Sequence, residues 1–362
     1  MSTHAAILDS ATRAAISAAW GLSPSATFEP LGNGLINRTL RVCDDGRERV
    51  LQRLNTTVFR APETVMRNCH AVTAHLGRER AAGRYAYAVL ELVPTLSGAP
   101  ALTLAADASW WRMYDYVPDA RTHDLATDAA MALEAARGFG AFVRALGSLP
   151  TASVGEVIPA FHDPARRFEN FRRAAADDRV NRAAGCYDEC RSASAFAEAV
   201  ATWRSLTTNG LPLRIVHNDC KLNNILFDAA DRAVCVIDLD TVMPGSPLFD
   251  FGDLVRTLVN PVAEDSTEIA RIRVREDMFA AVARGYLEGC GAMLTPVERT
   301  SLVFGARMVT GMLALRFLTD YLDGDRYFRI DRPLHNLERA RNQLALYAAL
   351  GKAEGDLQHL LR

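Results

Sequence analysis

The segment His217-Asn218-Asp219-Cys220-Lys221-Leu222-Asn223-Asn224 places an acid, a cation and an amide oxygen within one short stretch. Phosphoryl transfer requires that set: a group that orients the attacking hydroxyl and accepts its proton, oxygen ligands for magnesium, and positive charge on the phosphates. Asp219 follows the apolar run Leu213-Arg214-Ile215-Val216, so its carboxylate leaves the end of a strand and suits the role of hydroxyl acceptor. Asn224 can offer its side-chain oxygen to a metal ion. Lys221 stands between them, where it can neutralise a moving phosphoryl group. Asp238 comes nineteen positions after Asp219, at the end of Ala233-Val234-Cys235-Val236-Ile237. A hairpin across Asp228-Ala229-Ala230-Asp231 returns that acid to the same edge, where it can bridge a metal to nucleotide phosphates. Asp240 is a further candidate as metal or substrate ligand.

The elements around this segment follow from pattern. The opening residues MSTHAAILDSATRAAISAAWGL lack a basic leader before a long apolar run and read as an amphipathic helix rather than a signal peptide. Residues 26–54 read as three strands, with Asp44-Asp45-Gly46 as a hairpin turn. Pro62 opens a helix predicted to run to about Leu76 and to stop at Gly77. Residues 86–94 and 109–117 read as two more strands, the second aromatic. The rest is helical, at 125–147, 164–176, 193–207, 248–259, 266–288, 296–322 and 334–351, interrupted only by the β island around Asp219. The expected architecture is α+β: a small β-rich N-terminal lobe with its leading helix (residues 1–115) and a larger, mainly helical C-terminal lobe (residues 116–362).

That order of elements, with His-x-Asp-x-Lys-x-x-Asn, a hairpin and then Ile-Asp, resembles the aminoglycoside phosphotransferase and choline kinase superfamily, relatives of the protein kinases. The resemblance implies a two-lobed kinase-like fold that uses ATP and Mg2+. It implies Asp219 as catalytic base and Asn224 and Asp238 as magnesium ligands. Asp250-Phe251-Gly252 spells the protein-kinase metal motif literally, but lies too far downstream to end the hairpin. It is expected to open a helix with Asp250 as N-cap, Asp250 and Asp253 bracing the catalytic loop.

On the nucleotide side the signals are thinner. Gly32-Asn33-Gly34-Leu35-Ile36-Asn37 could fold backbone N–H groups over phosphates, which makes Gly32, Gly34 and Asn37 candidates; the same residues also suit a plain turn. No GxxxxGK[ST] segment occurs, which excludes a P-loop enzyme. Where relatives carry Lys on the third strand, this chain has Val50-Leu51-Gln52-Arg53, and Arg53 is the candidate phosphate holder, with Glu63 or Asn68 as its partner. The backbone around Tyr114 and Tyr116 takes the place of the adenine-binding hinge; as side chains these residues read equally as core aromatics.

Three groups of residues narrow the resemblance. They are Leu35 to Thr39 with Leu51 to Asn55; Lys221 to Asn224 with Ile237 to Gly245; and Arg316 to Leu322 through Tyr327-Phe328 to His335-Asn336 and Arg339 to Gln343. Together they resemble the bacterial N-acetylhexosamine 1-kinases over nearly the whole chain. The implied reaction is ATP-dependent phosphorylation of the anomeric hydroxyl of N-acetylglucosamine or N-acetylgalactosamine, with Arg316 and Tyr327 contacting the sugar beside Asp219. Read without the resemblance, Arg316 suits a helix-face pair with Asp320 equally well. Other acceptors in the superfamily (aminoglycosides, choline or ethanolamine, homoserine) and a kinase fold retained only for binding are the alternatives.

Composition limits the rest. A formal net charge of -2 gives no general attraction for nucleic acid or anionic membranes, and no run reads as a membrane span. The seven cysteines form no CxxC pair, which suits a reducing cytoplasm rather than a disulfide or zinc framework. The expected partner is a small-molecule sugar, bound by a monomer or homodimer.

Overall fold

The computed structural model describes residues 7–32 and 36–361. Helix α1 (Ser10–Trp20) begins at Asp9, whose carboxylate accepts from Thr12 N, and ends at left-handed Gly21. Strands β1 (Thr27–Pro30), β2 (Arg38–Asp44) and β3 (Arg47–Arg53) follow, then α2 (Pro62–Ala81), β4 (Leu102–Leu104) and β5 (Ser109–Asp115). They form one antiparallel sheet in the order β1-β2-β3-β5-β4. The β2–β3 turn has positive φ at Asp45 and Gly46, as a two-residue hairpin requires.

Alternation along the strands gives the sheet two faces. Leu40, Val42, Leu51, Trp111 and Met113 pack with Ile16 and Trp20 of α1. Gln52, Arg112 and Tyr114, one position out of phase, share the opposite face, where Arg112 meets Asp240 of the helical lobe. Two expectations fail here. Gly77 does not stop α2, which continues to Ala81; a mid-helix glycine costs only about 1 kcal/mol relative to alanine, and buried Leu76 and Glu79 hold the last turn. Residues 86–94 form no strand. They run irregularly, stitched by Val93 N to Met113 O and Ala88 N to Val234 O, and the outer edge of β5 goes to β4 instead.

The helical part contains α3 (Ala129–Leu146), α4 (Pro164–Asp177), α5 (Tyr187–Ser194) and α6 (Ala197–Thr208). Strands β6 (Arg214–Val216), β7 (Ile225–Phe227), β8 (Ala233–Val236) and β9 (Met243–Gly245) form the β island. Helices α7 (Pro247–Leu258), α8 (Glu276–Cys290), α9 (Pro296–Thr300), α10 (Leu302–Leu322) and α11 (His335–Leu360) complete it. Helices α3 and α8 approach so closely that a Cβ at Gly285 would lie 2.2 Å from Leu133 O, and one at Gly140 2.5 Å from Tyr286 O. The helix expected over 296–322 breaks at Ser301, and residues 266–275 stay largely outside the helix that begins at Glu276. Helix α10 is long and apolar enough to cross a membrane, contrary to the reading of the sequence. Its most apolar window is 72% buried by protein, as the central helix of the lobe.

Candidate active site

The loop after β6 is held from beneath. Asp250 accepts from His217 N at 2.9 Å and Asn218 N at 2.7 Å. It sits inside the first turn of α7; the N-cap is Ser246, whose hydroxyl accepts from Leu248 N. Asp250 therefore braces the loop without capping the helix. Burial pushes its carboxyl up to about 6. Asn218 adopts a left-handed backbone and donates to Thr241 O, while Thr241 Oγ1 donates to His217 O. His217 Nε2 donates to Ile237 O at 2.9 Å, with its ring set edge-on to Phe139 and Phe142. The carbonyl just before Asp238 is thus tied to the residue two before Asp219.

That frame brings four of the sequence candidates together. Asp219 Oδ2 accepts from Lys221 Nζ at 3.0 Å and from Asn224 Nδ2 at 2.9 Å. Burial opposes its ionisation, but Lys221, His217 and these hydrogen bonds outweigh burial and hold the carboxyl below its ordinary value. Lys221 is correspondingly raised, chiefly by Asp219. Asp219 is therefore a carboxylate at neutral pH. Asp238 has a left-handed backbone (φ 59°, ψ 61°), a conformation that a non-glycine residue holds only when its surroundings enforce it. Burial and then the charges of Asp240 and Asp219 push its carboxyl up to about 7. A carboxylate destabilised by neighbouring acids is one that a cation stabilises. Asn224 spends its amide nitrogen on Asp219, which frees its oxygen for a metal. Among the described residues no three His, Cys, Asp or Glu side chains converge as a ready cation cage. Asn224 and Asp238 could offer oxygen ligands to a divalent cation that completes its shell with phosphate and water.

The nucleotide side differs from the expectation. Arg53 pairs with Asp107 at 2.8 Å on the surface and lies over Trp111, on the α1 side of the sheet. It does not reach the cleft, because it is in phase with Leu51. Neither expected partner pairs with it: Glu63 is exposed on the first turn of α2, and Asn68 joins α2 to Gly155 and Val242 through its side-chain amide. A buried cation on the cleft face is Arg112, missed in the sequence. It lies opposite Gln52 in the sheet register, donates to Gln52 Oε1 through Nε and Nη2, and pairs with Asp240 Oδ1 at 2.5 Å. Arg112 and Asp240 are each only 1% exposed. An arginine among the aromatics of Trp110 to Tyr114 was the available signal, since a charge in a buried strand must be paired.

Asn37 Nδ2 donates to Asp240 Oδ2 at 2.6 Å, and Asn37 Oδ1 accepts from Asn55 N, so its side chain serves the same cluster. Asp240, thus engaged, is a link between sheet and metal loop. Gly32 is left-handed (φ 70°), and Gly34 lies outside the described residues. Tyr114 is buried with its hydroxyl unpaired, under Arg112. The amides of Asp115 and Tyr116 donate to Glu91 O and Glu48 O, so these two hinge donors are already used.

Across the cleft, Asp320 does not pair with Arg316. Its carboxylate accepts from the amides of Arg326, Tyr327 and Phe328, fixing that loop. Arg316 instead faces the rings of Phe161, Tyr327 and Phe328 at 5.2–5.6 Å, with Nη2 3.5 Å from Tyr327 Oη. His162, not foreseen, links this region to the catalytic loop: its Nε2 donates to Asn218 O at 3.0 Å and its ring stacks on Phe249. Burial, with Arg316 nearby, lowers it to about 4, so it is neutral at pH 7. Asp253 binds Arg256 through Oδ1 and keeps a buried, unpaired Oδ2.

Solved structures with the same fold include an amicoumacin kinase complexed with AMP-PNP and Ca2+ (11% identity, TM-score 0.63, covering 95% of this chain and 94% of that one). Others are a microcompartment-associated aminopropanol kinase (15%, 0.63, 97% and 99%) and a choline/ethanolamine kinase family protein from Mesorhizobium loti (19%, 0.57, 97% and 97%). The match to the APH phosphotransferase enzyme family extends over residues 27–290, from β1 to the end of α8 and through the whole catalytic loop, and the chain belongs to that family.

Proposed function

We propose that the protein is an ATP-dependent kinase that phosphorylates the anomeric hydroxyl of an N-acetylhexosamine. The observation that carries the kinase reading is the ionised Asp219, held between Lys221 and Asn224, beside an Asp238 whose surroundings favour a cation. Asp219 orients the acceptor hydroxyl and takes its proton, and Lys221 offsets charge on the transferring group. Magnesium bound at Asn224 and Asp238 would neutralise the nucleotide phosphates. The Arg112–Asp240 pair holds the sheet over the metal loop. The N-acetylhexosamine assignment draws on the resemblance of the Ile237 to Gly245 and Arg316 to Gln343 segments. It is supported by an acceptor end whose rings, Phe161, Tyr327 and Phe328, already face the Arg316 guanidinium, where an ammonium acceptor would call for acidic walls or a free aromatic cage.

The test is a panel of acceptors with ATP consumption and phosphorus NMR of the product as readouts. Turnover with N-acetylglucosamine or N-acetylgalactosamine to a 1-phosphate is expected. Turnover confined to choline, ethanolamine, homoserine or an aminoglycoside would overturn the sugar assignment, and no turnover with any acceptor would overturn the kinase.

A further inference from the structure

Arg167 on α4 and Arg316 on α10 converge on one residue. Arg167 donates through Nε and Nη2 to Phe161 O at 3.2 and 2.8 Å, and the Arg316 guanidinium lies over the Phe161 ring at 5.3 Å. The next residue, His162, donates to the carbonyl adjacent to Asp219, so the two cations flank the acceptor side of the catalytic loop. Neither guanidinium has an ion-pair partner among the described residues. The acids nearby make other contacts: Asp253 pairs with Arg256 through Oδ1, Asp320 accepts from the amides of the loop at 326–328, and Asp163 caps α4 through Arg166 N. Arg167 is half-buried, and burial together with the neighbouring Arg316 lowers it to about 10. Two like charges, partly desolvated and without an ion-pair partner among the described residues, favour oxygen acceptors over cations beside them.

We propose that Arg167 is a specificity-determining residue of the acceptor site. It acts with Arg316 to bind acetamido or hydroxyl oxygens and to reject acceptors with a protonated amine. Resting on the sugar-kinase reading above, the inference adds the means by which an N-acetylated sugar is told from the same sugar with a free amine. Specificity here is repulsion of the wrong ligand as much as attraction of the right one. The Nη1 group of Arg167, which makes no hydrogen bond to the protein among the described residues, is the donor available to the acceptor.

The test compares N-acetylglucosamine with glucosamine at pH 6.5, where an amine of ordinary basicity is protonated. It uses wild type, Arg167→Met and Arg167→Lys. Two quantities are read: the ratio of kcat/KM values, and the ratio of Kd values by calorimetry in the presence of AMP-PNP. Arg167→Met should shrink both ratios about tenfold through weaker N-acetylglucosamine and stronger glucosamine recognition, with the apparent KM for ATP within about twofold. Arg167→Lys keeps the charge and should hold the ratios within about threefold of wild type. If both variants lose the two sugars in proportion, Arg167 only supports the Phe161 turn and the inference is overturned. Binding of neither sugar by wild type, with no other neutral hydroxyl compound turned over, overturns it as well. If wild type acts on a different neutral hydroxyl compound, the N-acetylhexosamine assignment falls, while the charge comparison, repeated with that compound and its amino analogue, decides the role of Arg167.

Discussion

Replacing Arg112 with methionine removes one half of a buried ion pair while keeping most of its volume. Asp240 would remain 1% exposed, with Asn37 as its one strong donor. Breaking a buried pair from one side costs about 3–5 kcal/mol. Two unit charges roughly 4 Å apart at an effective dielectric of about 20 interact by about 4 kcal/mol, which agrees. For a chain of 362 residues, an unfolding entropy of about 2.1 cal/mol/K per residue makes 4 kcal/mol a fall of about 5 °C in Tm. The double variant Arg112→Met/Asp240→Asn leaves no orphaned charge and should recover at least half of that loss. Urea unfolding followed by circular dichroism measures the three variants, and the cycle isolates the coupling. The metal loop should also loosen, so Mg2+ should strengthen ATP binding less in Arg112→Met than in wild type. An Arg112→Met penalty below 1 kcal/mol, or a double variant no more stable than the sum of the single effects, would refute the claim that this pair fastens the sheet to the metal loop.

Other consequences are simpler to check. Arg53→Ala, at the surface pair with Asp107, should change stability by less than about 1 kcal/mol and the KM for ATP by less than about twofold; a tenfold rise in KM would return Arg53 to the phosphates. Asp219→Asn should lower kcat by about 100-fold or more while ATP binding stays within about threefold, and wild-type turnover in that variant would remove Asp219 from catalysis. His162 is lowered to about 4, below its ordinary value near 6.5. The unfolded chain therefore takes up its proton first as pH falls. Stability is fully present above about pH 6.5 and is lost on acidification toward pH 4, by up to about 3 kcal/mol. His162→Gln, which can still donate to Asn218 O, should flatten that part of the stability profile, and an unchanged profile would assign the acid loss to other groups.

The catalytic cluster was legible in the sequence because its members are close in the chain and their roles depend on residue type. Asp219, Lys221 and Asn224 lie within six residues, on a loop that a short apolar strand and a hairpin position almost unaided. The turn at Asp45-Gly46 and the amphipathic α1 were readable for the same local reason. Helix ends and the 86–94 segment were not, since burial of Leu76 and Glu79 and the competition for the edge of β5 are decided by distant partners. The nucleotide-side cation shows the division most sharply. Phosphoryl transfer calls for positive charge on the phosphates, and Arg53 was the residue the third strand offered. Only the pleat of β3, set by Leu51 packing on Trp20 and Ile16, turned Arg53 outward and left Gln52 facing Arg112. The partner of Arg112 lies 128 positions away at Asp240. No local pattern encodes that distance, because a buried charge is stabilised by whatever opposite charge the folded chain brings to it.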